Sequence, residues 1–145
     1  MKIVVGVDDS PVAVEALRTA IRYAEKLGAE IDAVFVSHVP ATVLAAMGGV
    51  PSVGEEFAAT QREQVWALLR PVMDASPVTV HGIDLEGYPP DTLVAHAESV
   101  GAELMVVGTR GRGELASLLL GSTSHRVVNH APCNVLVVRH QEESP

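Results

Sequence analysis

Four residues with the chemistry of an anion site lie close together in the C-terminal third of the chain. Gly108 and Gly111 are separated by two residues, and after nine further residues Gly121 is followed by Ser122. Glycines at such spacing let a backbone approach a bulky charged group. A hydroxyl residue that opens a helix adds N–H donors and the positive end of the helix dipole. The spacing therefore predicts a phosphate cradle.

Two other glycine motifs fit these residues less well. Gly111, Gly113 and Ala116 match a loose dinucleotide fingerprint, but that motif belongs after a first strand and needs an acidic residue about 20 positions later. No acidic residue lies near Leu136. A P-loop needs a lysine before its hydroxyl residue, and this chain has Gly121 there. The pattern therefore argues against a strong nucleoside triphosphatase of the P-loop class.

Other candidate catalytic groups give weak signals. The histidines are His38, His81, His96, His125, His130 and His140. They show neither a metal-binding pair nor cysteine partners, so we expect surface or capping roles, although His125 is within a turn of Ser122 and could approach a phosphate. Ser122, His125 and Asp8 can be written as a triad, but no G-x-S-x-G presents the serine. We therefore predict no catalytic residue and no metal site, and we expect Cys133 to pack as a small apolar group.

Length and composition narrow the class of protein. The chain has 145 residues, of which 48% are hydrophobic, so it is long enough for one domain with a real core and too apolar for disorder. A net charge of −8 and only five aromatic residues argue against nucleic acid and anionic membranes as partners. A lone cysteine and the lack of a signal-peptide pattern predict a cytoplasmic protein.

Hydrophobic patterning divides the chain into alternating strands and helices. Strands are predicted over residues 3–7, 31–36, 78–83, 104–107 and 135–138. Helices are predicted from Pro11 to a stop at Gly28, over 55–73, from Tyr88 through Ala97, and over 123–131, with a loop at 40–54. We expect one domain over residues 1–140 and a disordered tail over 141–145.

This alternation predicts a mostly parallel, open α/β sheet with helices on both faces. Strands 3–7 and 104–107 are the most continuously apolar, so we expect them at the centre of the sheet. Ligands of such sheets bind beyond the carboxyl ends of the strands, where the direction of winding reverses. The turn at Asp8 to Ser10 and the loop at 108–121 would then border one crevice.

These residues resemble the nucleotide signature of the universal stress protein family, G-2x-G-9x-G-[ST]. The likeness extends over residues 5–10, 106–113, 118–122 and 130–138 and, less specifically, over most of the chain. It implies a single-domain, five-stranded parallel sheet of order 3-2-1-4-5, of the Rossmann-like, adenine nucleotide alpha hydrolase-like type. It also implies ATP, accompanied by Mg²⁺, at the switch point. Because the signature is complete, the chain resembles the ATP-binding branch.

Matching positions carry the ligand contacts implied by this resemblance. Asp8 would contact the ribose or adenine end, the backbone of Val39 would hydrogen-bond the adenine, and Gly6 would lie beneath it. The ribose and phosphates would be bordered and held by Gly108, Thr109, Gly111, Gly121, Ser122, Thr123 and Ser124. Arg110 and Arg112 are either solvated loop residues or phosphate contacts. Asp8 has an alternative too, because an aspartate at a strand-to-helix turn often binds the turn itself.

Two further expectations concern the surface. The strand at 135–138 is wholly apolar and, in the implied order, lies at an edge, so pairing with its copy in a homodimer would protect it from aggregation. The segment 40–54 is long for a connection, and Gly48-Gly49 is a candidate hinge for closing it over the adenine.

Three functions remain open at this point. The first is a nucleotide-dependent stress-response regulator with little or no turnover. The second is a weak ATPase or nucleotidyl-transfer enzyme that uses Asp8. The third is a dimeric interaction module that binds AMP, cyclic AMP or no nucleotide.

Overall fold

The computed structural model describes residues 1–109 and 120–140. Its elements in chain order are β1 (Lys2–Val7), α1 (Pro11–Leu27), β2 (Glu30–Ser37), α2 (Ala41–Ala46), α3 (Pro51–Asp74), β3 (Val80–Glu86), α4 (Pro89–Val100), β4 (Leu104–Gly108), α5 (Ser122–His130) and β5 (Asn134–Val138). The strands form one parallel sheet of order β3-β2-β1-β4-β5. The predicted fold class and strand order are therefore confirmed. The tail predicted at 141–145 lies outside the described residues.

β1 lies at the centre of the sheet. Ile3 pairs with Ile31 of β2 on one side and with Leu104 of β4 on the other. A strand covered on both faces must be apolar throughout, and Ile3, Val4 and Val5 have no exposed surface. The chain winds outward from β1 through β2 to β3 and then returns across the sheet to β4. The winding direction therefore reverses between β1 and β4, as the sequence predicts.

The ends of α1 follow the residue types that the sequence supplies. Ser10 precedes the helix in an extended conformation and Pro11 is the first helical residue. Gly28 ends it at φ 67°, and its N–H donates to the carbonyl of Ala24. This left-handed conformation favours glycine, which has no Cβ to clash.

Helices cover both faces of the sheet and create two apolar layers. α1 and α3 cover one face, where Leu17 and Leu69 are completely buried. α4 and α5 cover the other, where Leu93 and Val127 are buried. Among the helices of the described residues, none has the length and apolarity that a membrane crossing requires.

The predicted loop at 40–54 is wrong in its secondary structure. α2 occupies Ala41–Ala46, and α3 begins at Pro51 rather than at residue 55. The two helices touch, because a Cβ on Gly54 would lie 3.2 Å from Leu44 Cδ1. Between them Gly48 and Gly49 have φ values of 90° and 67°. The glycine pair therefore forms the turn of a helical hairpin.

Candidate functional site

A cavity of about 150 Å³ lies beyond the carboxyl ends of β1 and β4. It is lined by five of the residues predicted from the sequence, namely Gly6, Asp8, Gly108, Thr123 and Ser124. β1 carries the first of these, the turn after β1 the second, β4 the third, and the first turn of α5 the last two. The crevice expected at the switch point is therefore present, and residues more than 100 positions apart in the chain meet there.

Asp8 binds its own turn. One carboxylate oxygen, Oδ1, accepts the backbone N–H of Ser10 at 2.9 Å and also the hydroxyl of Ser10. Ser10 consequently makes no side-chain cap at α1, although it occupies the capping position. Asp8 therefore binds the strand-to-helix turn, which is the alternative role given for it in the sequence analysis. Within residues 1–109 and 120–140 the other oxygen, Oδ2, has no hydrogen-bond partner, and Asp8 still lines the cavity.

Gly6 and Gly108 have a packing role in addition to their place at the cavity. A Cβ on Gly6 would lie 2.9 Å from Leu93 Cδ1 in α4. A Cβ on Gly108 would lie 2.8 Å from Val12 Cγ1 in α1. Both glycines therefore allow a helix to approach the sheet closely, whatever the cavity holds.

The start of α5 is fixed by backbone hydrogen bonds. The hydroxyl of Ser124, which is only 3% exposed, lies 3.0 Å from the carbonyl oxygen of Thr109 and 3.1 Å from that of Gly121. The N–H of Gly121 also donates to the Thr109 carbonyl. These bonds hold the two described ends of the glycine loop together. Thr109 is tied in turn to β5 by a bond from its N–H to the Val138 carbonyl.

The N-terminus of α5 has the features of an anion site. Gly121 precedes the helix and gives it no side-chain cap. The first N–H groups of a helix lack partners within the helix and carry the positive end of its dipole. Thr123 and Ser124, in the first turn of α5, line the cavity, so this end of the helix borders it. Ser122, by contrast, is exposed and does not line that cavity.

Four other predicted residues cannot be assigned to this group or lie apart from it. Arg110, Gly111 and Arg112 lie outside the described residues. Val39 lines a separate cavity of about 380 Å³ together with Leu44 of α2.

A larger chamber adjoins the first cavity. It has a volume of about 630 Å³ and shares part of its lining with the smaller one, namely Asp8, Phe35, Val36, Pro89 and Thr123. Its far wall is one face of α3, formed by Phe57, Thr60, Gln61, Gln64 and Val65. Small-molecule sites usually measure about 300 to 1,000 Å³, so the two cavities together have the size of such a site.

The sequence analysis missed this α3 wall. Residues 57, 60, 61, 64 and 65 recur at the spacing of one helix face, which is the signal that could have identified it. Polar residues at 60, 61 and 64 interrupt that face, so it does not stand out as a core-facing stripe.

The positive charge of Arg126 is balanced locally. Arg126 of α5 donates a 2.7 Å hydrogen bond to Asp91 and lies over the ring of Tyr88. The hydrogen bond with Asp91, together with its negative charge, raises the pKa of Arg126 above its ordinary value. This guanidinium is therefore already paired.

One histidine expectation is wrong. His96 is not a surface or capping residue, because its side chain is only 14% exposed and its Nε2 lies 2.9 Å from Oδ2 of the buried Asp32. This pair lies near the amino ends of the strands, away from the crevice. Cys133 packs in the α4–α5 layer as expected, and burial raises the pKa of its thiol. The described part of the chain contains no group of three side chains able to hold a metal ion.

Fold and site together define a class: an α/β protein with an open parallel sheet, a switch-point crevice and a helix N-terminus directed into it. The universal stress protein family model matches residues 1–139. Universal stress protein MJ0531 of Methanocaldococcus jannaschii is 34% identical over 143 residues, covering 95% of this chain and 81% of the relative. The chain therefore belongs to the universal stress protein family.

Solved structures share the fold over nearly the whole chain. Universal stress protein UspA from Lactobacillus plantarum is 26% identical, with a TM-score of 0.82 over 96% of this chain and 97% of that one. A universal stress protein from Archaeoglobus fulgidus in complex with dAMP is 22% identical, with a TM-score of 0.69 over 95% and 97%. The second likeness shows the common fold alone.

Proposed function

We propose that this protein binds ATP in the crevice and acts as a nucleotide-dependent regulator of the stress response in the cytoplasm. The observation that carries the proposal is the meeting of Asp8, Gly108, Thr123 and Ser124 around one cavity. The sequence also contains the complete G-2x-G-9x-G-[ST] signature. A member of the same family was solved with dAMP, which fits an adenine nucleotide as the ligand class.

The triphosphate would lie at the N-terminus of α5. This helix has nine residues, Gly121 gives it no side-chain cap, and its first turn borders the cavity. Anions at helix N-termini gain both N–H donors and the favourable end of the dipole. The sequence signature adds Gly111 to the proposed site, with Arg110 and Arg112 as candidate phosphate contacts; all three lie outside the described residues.

Mg²⁺ would accompany the nucleotide and would not need a cage of protein ligands. Mg²⁺ in nucleotide sites is bound through one or two carboxylates together with phosphate oxygens. Asp8 lines both cavities and Asp9 lines the larger one, and no other carboxylate of the described residues lines either. This arrangement suits a cation that enters with its ligand, with Mg²⁺ supplying charge neutralisation of the phosphates.

Little or no turnover is proposed. The chain has no P-loop lysine, and Oδ1 of Asp8 is already engaged by Ser10. The competing function is a weak ATPase in which the second oxygen of Asp8 positions metal or water. Phosphate release measured on wild type and Asp8→Ala separates the two: a slow rate that disappears in the variant would favour the enzyme.

A homodimer through β5 is part of the proposal. β5 is an edge strand, and its apolar residues Val135 to Val138 are only half-buried. A second copy paired along this edge would cover them. If the crevice bound no nucleotide, the same surface would leave a dimeric interaction module as the remaining function.

Calorimetry on Gly121→Val tests the proposed ATP site. Gly121 has φ −70°, a conformation that valine adopts readily, so the backbone itself does not oppose the change. We expect at least about tenfold weaker ATP binding, or ~1.4 kcal/mol, because the new side chain would block the phosphates. Ala67→Val, on the exposed face of α3, is the control and should keep wild-type affinity. Equal affinity in both variants would contradict the assignment.

A further inference from the structure

The two chambers of the crevice differ in chemistry. The smaller one borders the start of α5 through Thr123 and Ser124. The larger one shares Asp8, Phe35, Val36 and Thr123 with it and is bordered in addition by Asp9 and by the α3 wall. The N–H groups at the start of α5 favour phosphates, whereas the α3 wall, with Phe57 and amide side chains, suits an uncharged aromatic ring. A bound nucleotide would therefore direct its phosphates to α5 and its base into the larger chamber.

The α3 wall of the larger chamber has polar groups in its middle. Phe57 and Val65 stand at its two ends, with Gln61 and Gln64 between them. The hydroxyl of neighbouring Thr60 donates to the Glu56 carbonyl, within the helix. Neither glutamine has a hydrogen-bond partner among the described residues, and Gln61 is half-buried.

A glutamine amide can form hydrogen bonds with the polar edge of a nucleotide base. It presents one acceptor oxygen and two N–H donors side by side. The edge of adenine presents a matching donor and acceptor, its 6-amino group next to a ring nitrogen, and glutamine reads this pair with two hydrogen bonds. Phosphates offer acceptors alone.

We infer that Gln61 and Gln64 are base-recognition residues: their amides accept from the 6-amino group of adenine and donate to the adjacent ring nitrogen. This inference depends on the proposed ATP function and adds specificity-determining residues from α3 to it. Val39, from the sequence-based prediction, would approach the same base from the side of His38, which lines both the larger chamber and the Val39 cavity.

Two ligands and two variants test this inference. ATP and purine riboside triphosphate differ only in the 6-amino group. For the wild type we expect ATP to bind about five-fold more tightly, because a neutral hydrogen bond contributes about 1 kcal/mol. In the double variant Gln61→Leu/Gln64→Leu the two ligands should bind with equal affinity. Glu63→Ala, on the same helix but outside the chamber lining, should keep the wild-type ratio.

The outcomes separate this inference from the proposed function. A ratio that falls to about one in the double variant alone supports base recognition by α3. An unchanged ratio overturns the inference and leaves ATP binding intact. Binding of neither ligand by the wild type overturns the proposed function and the inference with it. Circular dichroism and the fluorescence of Trp66, the only tryptophan, report whether α3 keeps its fold in each variant.

Discussion

Oδ2 of Asp32 lies 2.9 Å from Nε2 of His96. This contact joins β2 to α4 near the amino ends of the strands, away from the crevice. The other oxygen, Oδ1, accepts a 2.9 Å hydrogen bond from Nζ of Lys2 in β1. The Asp32 side chain is only 4% exposed. Burial alone would raise the pKa of Asp32, but the hydrogen bonds and charges of Lys2 and His96 outweigh it and lower that pKa below its ordinary value.

The lowered pKa of Asp32 makes the free energy of unfolding depend on pH in the acidic range. A carboxylate with a lower pKa in the folded state stabilises the fold above the unfolded pKa, which is about 3.9. That stabilisation is lost as pH falls through the folded pKa, so we expect the free energy of unfolding to decline below about pH 4. Urea denaturation between pH 7 and pH 2 measures this decline.

Asp32→Asn should remove most of that dependence. It leaves the half-buried Lys2 ammonium with only the exposed Glu30 carboxylate, 3.7 Å away, so we expect a loss of about 1–3 kcal/mol at pH 7 and a shallower acid limb. Asp74→Asn is the matched control, because Asp74 is exposed at the end of α3. An equal loss in both variants would show that the Asp32 pair adds nothing.

Sequence analysis could not find this pair. Asp32 lies in an apolar strand and His96 lies 64 residues later on another element, so no local spacing connects them. By contrast, the alternation of strands and helices followed from local features, namely apolar runs, the Pro11 start of α1 and its stop at Gly28, whereas the strand order was implied by the family resemblance. The glycine signature located the crevice because it too is local in sequence. The α3 wall could not be predicted in this way, because it depends on how α3 packs against β2.

Gly108→Ala should destabilise the protein even without nucleotide. The added Cβ would lie 2.8 Å and 3.0 Å from the two γ-carbons of Val12, so β4 and α1 must move apart. We expect a loss of about 1–3 kcal/mol in the free energy of unfolding. In a Val12→Ala background the γ-carbons are gone, and the same substitution should cost less by about 1 kcal/mol. Equal costs in both backgrounds would mean that Val12 is not the obstacle.

Ser124→Ala distinguishes a structural hydroxyl from a phosphate contact. The hydroxyl lies within hydrogen-bond distance of the Thr109 and Gly121 carbonyls, and its loss removes these buried contacts, leaving the Thr109 carbonyl with the Gly121 N–H and the Gly121 carbonyl with the His125 N–H. We expect a loss of about 1–2 kcal/mol in unfolding experiments without ATP. Weaker ATP binding with unchanged stability of the ligand-free protein would instead make Ser124 a ligand residue alone.

The proposed homodimer through β5 predicts both a mass and an exchange pattern. Light scattering at micromolar concentration should give the mass of two chains. In a lone edge strand the N–H groups that point outward exchange quickly, whereas pairing with a second copy protects them. Protection across Val135 to Val138 should therefore fall on dilution. A monomer at micromolar concentration would contradict this prediction.

Closure of the α2–α3 hairpin over the nucleotide is the last prediction. The glycine turn at Gly48 and Gly49 joins α2 to α3, and both glycines have positive φ, so this turn is the natural hinge. α2 has no buried residue, so few contacts oppose its movement. ATP should therefore slow amide hydrogen exchange across residues 42–53, while α1, which borders the sheet on the same face, should be unaffected in its second half. Replacing Gly49 by alanine strains the left-handed turn and should reduce the ATP-dependent protection. Identical exchange with and without saturating ATP would show that the hairpin stays where it is when the crevice is filled.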